Sequence, residues 1–161
     1  MTSATSKKPT KEKLSAMAEA VRKELSFRGQ DDVYKHAVEI GYLAASADGR
    51  VDDEEKQRIV EAVDILSQGL VIELEVDAII DEIGPLEGDA VTERAKAVGE
   101  ALQKLDQAEA GLLFGAFVAQ ATHGIDKDER RVLRETGRAA GLKDNRIRAI
   151  LKVVDAEDPE G

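Results

Sequence analysis

Two stretches of the sequence decide the fold: residues 42–55, YLAASADGRVDDEE, and residues 117–129, FVAQATHGIDKDE. Each runs from small residues into a glycine turn, an apolar residue and an Asp-x-x-Glu pattern, and the second lacks one residue after its glycine. Asp-x-x-Glu before an apolar run is the capping box that opens a helix. We therefore predict two related helix–turn–helix units, over 31–67 and 106–141.

Outside these stretches, apolar residues recur with the spacing of amphipathic helices. The sequence predicts an all-α fold, a compact bundle of about seven to eight helices whose internal repeat has pseudo-two-fold symmetry. Asp106 with Glu109, and Asp126 with Glu129, open the second unit, and Gly141 ends it as a C-terminal cap. The predicted helices cover 11–27, 31–47, 52–66, 70–83, 89–105, 106–122, 126–140 and 144–154.

One predicted helix has an ambiguous pattern. Residues 70–76 are rich enough in β-forming residues to resemble a strand, but Val76, Ile79, Ile80 and Ile83 have helical spacing. No second strand is available for pairing, so a helix is predicted.

Composition indicates a soluble, single-domain protein over 11–154, with a disordered tail at 1–10 and an acidic tail at 155–161. The chain has 161 residues, no Cys and only 3% aromatic residues, so aliphatic side chains must fill its core. Without Cys there are no disulfides or thiolate ligands. No apolar run follows the polar start, and residues 111–121 are too few to span a bilayer, which takes ~20 residues. A cytoplasmic location is expected.

Charge is unevenly distributed along the chain. The net charge is −10, with 14 acidic against 3 basic residues over 48–89, and 9 basic against 4 acidic over 127–152. The acidic balance argues against nucleic-acid binding. Arg130, Arg134 and Arg138 form a stripe at i, i+4, i+8, which is either a solvated helix face or a contact surface for an acidic protein partner. The acidic region of another copy is one such partner, which predicts salt-sensitive self-association.

Carboxylates in the two turns form a candidate site for a divalent cation. Oxygen ligands of this kind suit calcium or magnesium. The same carboxylates are equally explained as helix caps. His123 is either a further ligand or a histidine tolerated at a turn, and His36 is interpreted as packing at the core edge. The candidate metal ligands are Asp48, Asp52 and Glu55 in the first turn, and His123, Asp126 and Glu129 in the second.

The pattern Ala-Ala-x-Ala-Asp-Gly-x-Val-x-x-x-Glu over 44–55, echoed over 119–129, resembles the TerB family of small helical proteins from bacterial tellurite-resistance and stress-response gene clusters. The resemblance implies an all-helical fold, no catalytic activity, calcium binding and contacts with a membrane-associated stress complex. By motif position it places ligands at Asp48, Asp52 and Glu55, and at Asp126 and Glu129. The chain differs from the family pattern at His123, where a second Asp would stand.

No recognised catalytic motif occurs in the chain. The sequence therefore favours a non-catalytic, stress-response-type binding module that holds a divalent cation, with calcium preferred, and contacts protein partners. Two alternatives remain open. One is a metal-independent interaction scaffold, and the other is a metal-dependent hydrolase that uses the same carboxylates with His123.

Overall fold

The computed structural model describes residues 30–47, 51–66, 73–123 and 125–156, and the regular structure of this part of the chain is entirely α-helical. This confirms the predicted fold class. The helix expected over 11–27, and the tail at 1–10, lie outside the described residues. The seven described helices are α1 (Gln30–Ala45), α2 (Asp53–Leu66), α3 (Glu73–Ile83), α4 (Asp89–Lys104), α5 (Ala108–His123), α6 (Lys127–Ala139) and α7 (Asp144–Ala156).

The described part of the segment with the ambiguous pattern, from Glu73 onward, is helical. Helix α3 begins at Glu73, and Val76, Ile80 and Ile83 are its buried residues. These positions lie on one face of a helix, whereas a strand would place Ile83 on the face opposite Val76 and Ile80. Burial of this face against the rest of the bundle decides between the two conformations.

Helices α1 and α5, the first helices of the two repeat units, form the most extensive contact between elements in the described structure. Glycines allow their backbones to approach closely. A Cβ atom built on Gly115 would lie 2.6 Å from Cγ2 of Ile40, and one built on Gly41 would lie 2.9 Å from Cβ of Val118. Real Cβ atoms do not come so close, so each glycine is required by steric fit.

The second helix of each unit packs more extensively on the first helix of the other unit than on its own. Helix α2 contacts α5 more than α1, and α6 contacts α1 more than α5. Between α1 and α5, the second helix of each unit therefore packs mainly on the one that belongs to the other unit. This arrangement agrees with the repeat seen in the sequence.

Aliphatic side chains and a few aromatic rings fill the core. Tyr34 of α1 and Phe114 of α5 meet edge to face, with ring centroids 5.0 Å apart and an interplanar angle of 66°. On the other side of the bundle, α4 lies against α6 at Gly99, where an added Cβ would stand 2.8 Å from Cβ of Ala139. The core thus depends on close helix crossings, as expected of a chain poor in aromatic residues.

One predicted helix start is wrong. Asp106 and Glu109 do not form a capping box, because α5 begins at Ala108 and Asp106 belongs to the end of the preceding helix. Glu109 is instead held by Arg146 of α7, whose Nη2 and Nε donate to its two carboxylate oxygens at 2.7 and 3.0 Å. The hydrogen bond and charge of Arg146 lower the pKa of Glu109 despite some burial. Local sequence alone did not reveal this tertiary contact.

Asp106 terminates α4 in a left-handed conformation, with φ of +59°. Its N–H donates to the carbonyl of Gln103 at 3.0 Å, and the N–H of Gln107 donates to the carbonyl of Leu102 at 3.1 Å. These are the two hydrogen bonds of a Schellman motif. Aspartate is one of the few non-glycine residues that tolerate this conformation. Gly141 ends α6 in the same way, with φ of +89°, as predicted.

Candidate functional site

The first acidic turn leads into α2 through the predicted capping box. The N–H of Asp52 donates to Oε1 of Glu55 at 3.0 Å, and the N–H of Glu55 donates to Oδ1 of Asp52 at 2.8 Å. Asp52 is exposed and Glu55 is half-buried. Asp48 lies outside the described residues. One oxygen of each described carboxylate therefore satisfies a backbone amide at the start of the helix.

The second turn repeats this geometry at the start of α6. The N–H of Asp126 donates to Oε1 of Glu129 at 3.1 Å, and the N–H of Glu129 donates to Oδ1 of Asp126 at 2.8 Å. Glu129 differs from its counterpart Glu55 because it is only 1% exposed. The backbone of His123 ends α5, but its side chain lies outside the described part of the chain. Both capping boxes that the repeat predicts are confirmed.

No group of three or more acidic or histidine side chains is placed to hold a metal ion within the described residues. Asp52, Glu55, Asp126 and Glu129 are thus not gathered into one such cluster. Asp48 and the imidazole of His123 are the remaining predicted ligands, and both lie outside that part of the structure. The cation site stays a prediction.

The basic stripe of α6 lines a groove with α7. This basic groove has a volume of about 530 Å³. Its lining contains four cationic side chains and no carboxylate, together with an amide and two apolar residues. The lining residues are Arg130, Arg134, Asn145, Arg148, Ala149, Leu151 and Lys152.

Arg138, the third arginine of the predicted stripe, does not line this groove. Its Nε donates to Oδ1 of Asp144 at 2.9 Å and its Nη2 to Oδ2 at 3.3 Å, and Glu135 lies 3.7 Å from its Nη1. The hydrogen bond and charge of Arg138 lower the pKa of Asp144, with smaller contributions from Arg148 and Arg134. Arg138 is therefore paired with a carboxylate of α7 and lies outside the groove that Arg130 and Arg134 line.

Arg134, Arg148 and Lys152 form no ion pair with any described carboxylate, in contrast to Arg138. Arg134 is half-buried and the other two are exposed. Three cationic groups thus share one concave surface without an ion pair of their own, and the carboxylate of Asp144, which acts on Arg134 and Arg148 from a distance, is already bound by Arg138. Such a surface attracts an anionic ligand.

A buried charge network joins α1 to α4 and was missed by sequence reasoning. Glu39 is 3% exposed, with Oε1 at 2.7 Å from Nδ1 of His36 and Oε2 at 3.2 Å from Nη2 of Arg94. Burial raises the pKa of Glu39, but the hydrogen bonds and charges of His36 and Arg94 outweigh it, so this pKa lies below its ordinary value. His36, interpreted from the sequence as packing at the core edge, is partly buried and also contacts the buried carboxylate of Glu39.

A second cleft, of about 300 Å³, lies where α1, α2 and α3 meet. The hydroxyl of Tyr42 donates to the carbonyl of Gly84 at 3.0 Å inside it, and Lys56 and Asp81 also line it. Burial and the charge of Asp81 raise the pKa of Tyr42. None of Asp52, Glu55, Asp126 and Glu129 lines this cleft or the basic groove.

None of the described helices is both long and apolar enough to cross a bilayer. Comparison of the chain with protein-family models, with curated proteins and with solved structures finds no match.

Proposed function

We propose that this protein is a non-catalytic binding module that holds an acidic segment of a partner protein in the basic groove. The observation that carries the proposal is the lining of that groove, which contains four cationic side chains from two helices and no carboxylate residue. Three of these cations, Arg134, Arg148 and Lys152, form no ion pair with a described carboxylate. A cluster of like charges is unfavourable in the free protein, and an anionic partner relieves it.

The overall charge of the chain limits which partners fit. At a net charge of −10 the molecule repels long polyanions, whereas a short acidic segment needs to meet only the local positive potential of the groove. The exposed apolar lining residue Ala149 offers a contact for the uncharged part of a peptide. A protein segment therefore fits the groove better than a nucleic acid does.

The resemblance to the TerB family places this proposal in a cellular setting. A stress-response role, with a membrane-associated complex as the partner, is the setting that the turn motifs imply. The acidic α2–α3 region of a second copy is another candidate segment, because α3 carries five carboxylates and no cation. Sedimentation at low and high salt tests self-association, and a monomer under both conditions contradicts it.

Binding of an oligo-glutamate peptide, followed by fluorescence anisotropy at low and high salt, tests the proposal. We expect the double variant Arg134→Glu/Arg148→Glu to abolish binding, since it reverses two charges of the groove. Arg131→Glu is the matched control, because Arg131 is an exposed arginine of the same helix that does not line the groove. Equal binding by both variants, or no binding by the unaltered protein, contradicts the proposal.

A divalent cation in the acidic turns is a second candidate function. Its support is the duplicated Asp-x-x-Glu geometry together with Glu129, a carboxylate buried at the entrance of α6. Calorimetric titration with Ca²⁺, Mg²⁺ and Zn²⁺ tests it, with Asp48→Asn and His123→Ala as variants. Heat of binding that these substitutions remove supports the site. Absence of heat, with an unchanged melting temperature for all three ions, contradicts it and leaves the carboxylates as helix caps.

A further inference from the structure

Next to the α6–α7 turn, at one end of the basic groove, the Arg138–Asp144 pair shows how the two helices hold an anion between them. Arg138 of α6 binds the carboxylate of Asp144 of α7 through two hydrogen bonds, at 2.9 and 3.3 Å. The helices are close together here, since a Cβ built on Gly137 would lie 2.7 Å from Cγ1 of Ile147. One guanidinium and one carboxylate therefore satisfy each other at this end.

Moving away from this end, the pairing of charges changes. Residues four apart share a helix face, so Arg134 on α6 and Arg148 on α7 come next along the groove. Each lies four residues from its own helix's member of the Arg138–Asp144 pair. Arg130 and Lys152 follow by the same step, and all four line the groove. The Arg138–Asp144 position thus has one cation and one anion. Each of the next two positions, Arg134–Arg148 and Arg130–Lys152, has a cation on both helices.

We propose that the groove recognises a phosphorylated protein segment, with its phosphoryl group held between Arg134 and Arg148. This inference rests on the proposed function, because it names the chemistry of the acidic partner at the same surface. Neither Arg134 nor Arg148 forms an ion pair with a described carboxylate, so both guanidinium groups are available to a ligand.

A phosphoryl group matches two arginines that line one groove from adjacent helices better than a carboxylate does. A carboxylate presents two oxygens and one negative charge, which a single guanidinium fork satisfies, as Asp144 demonstrates at Arg138. A phosphomonoester presents three oxygens and a charge of about −1.5 to −2 at neutral pH. It can accept hydrogen bonds from two forks at once and neutralise both charges.

The length of the groove favours one or two phosphoryl groups over a nucleic-acid backbone. Arg130 and Arg134 are four residues apart, which is about 6 Å along a helix. Beyond the Arg134–Arg148 position lies the Arg138–Asp144 pair, whose guanidinium already binds a carboxylate and so offers no further phosphate site. The surrounding net charge of −10 acts in the same direction.

Three short peptides that differ only at one central position test the inference. The position carries phosphoserine, glutamate or serine, with glutamates on both sides. We expect the phosphoserine peptide to bind about tenfold more tightly than the glutamate peptide, since charge-assisted hydrogen bonds to a second guanidinium are added. Inorganic pyrophosphate is expected to compete with it.

Arginine-to-lysine variants separate the guanidinium fork from the charge alone. Arg134→Lys and Arg148→Lys keep the positive charge but lose bidentate geometry. We expect each to weaken the phosphoserine peptide about tenfold and the glutamate peptide less than about threefold. Arg131→Lys, on the same helix but outside the groove, is expected to change neither. Thermal unfolding of each variant confirms that it is folded.

Equal affinity for the phosphoserine and glutamate peptides would overturn the phosphoryl inference while leaving the proposed function in place. Failure of both peptides to bind overturns the phosphoryl inference and the proposed function together. Tighter binding of a single-stranded RNA oligonucleotide than of the phosphoserine peptide also overturns the inference, because the groove would then serve a polyanionic backbone.

Discussion

Ile40 and Gly115 occupy the same position in the two halves of the repeat, and they contact each other where α1 crosses α5. A Cβ built on Gly115 would lie 2.6 Å from Cγ2 and 2.7 Å from Cβ of Ile40. Under the pseudo-two-fold symmetry that the repeat predicts, the axis would pass between these two counterparts. Two isoleucines would overfill this point and two glycines would leave a void. One position therefore carries isoleucine and its counterpart carries glycine.

Gly115→Ala is expected to destabilise the protein. In an exposed helix the same change stabilises by about 1 kcal/mol through helix propensity. Here the new methyl group meets Cβ of Ile40, which cannot move without its backbone, and overpacking costs about 1–3 kcal/mol. Urea unfolding measures the effect, and Ala97→Gly at an exposed position of α4 calibrates the propensity term.

The double variant Gly115→Ala/Ile40→Ala tests the mechanism. Ile40→Ala alone is expected to cost about 2–5 kcal/mol, because it leaves a cavity. The double variant should lose less free energy of unfolding than the two single variants lose in total, since the methyl group at position 115 partly fills that cavity. Additive free energies of unfolding would show that the two residues do not compete for one volume.

Glu39→Gln is expected to lower the free energy of unfolding by about 1–3 kcal/mol near neutral pH. The substitution leaves His36 and Arg94 without their carboxylate, and the estimate allows for the partial exposure of Arg94. Glu100→Gln, at an exposed position of α4, is the control and should have no measurable effect. Chemical unfolding of the three proteins measures the difference.

The contribution of Glu39 also depends on pH. Because the pKa of Glu39 is lowered in the folded state, its contribution is fully present above the ordinary pKa of glutamate, about 4.3, and is lost as pH falls through the folded value. The stability difference between the unaltered protein and Glu39→Gln should therefore shrink on acidification below about pH 4. A constant difference down to strongly acidic pH contradicts this assignment.

Glu129→Ala is expected to destabilise the protein more than Glu55→Ala. Both carboxylates accept a hydrogen bond from the backbone at the start of a helix, but Glu129 is buried and Glu55 is only half-buried. Loss of the buried acceptor costs about 2–3 kcal/mol, against about 0.5–1 kcal/mol for the other. Thermal unfolding compares the two, and equal losses would mean that burial does not distinguish the caps.

Asp106→Gly and Gly141→Ala are expected to change stability in opposite directions. Both residues end a helix with positive φ, at +59° and +89°. Glycine at position 106 relieves a conformation that costs L-residues about 1 kcal/mol, and alanine at 141 introduces that cost. Differential scanning calorimetry should show a raised melting temperature for the first and a lowered one for the second. A shift of the same sign in both is incompatible with this account.

Local chemistry explains why much of the fold could be predicted. The capping boxes at Asp52 and Asp126 and the glycine cap at Gly141 depend on residues within one helical turn of one another. The same local pattern at Asp106 was misleading, because the preceding helix continues far enough to use that residue as its own C-terminal cap. A capping motif therefore cannot by itself distinguish the start of one helix from the end of another.

The sequence by itself determined that the described part of the chain is helical, and it showed the repeat and the uneven distribution of charge, because each depends on spacing along the chain. Tertiary structure alone decided which charges face one another. Glu39 meets Arg94 from 55 residues away, and the stripe of α6 divides because α7 brings Asp144 to Arg138 but Arg148 and Lys152 to the rest of the groove. Helix packing sets these distances, and the strength of an electrostatic interaction depends on distance and burial rather than on sequence separation.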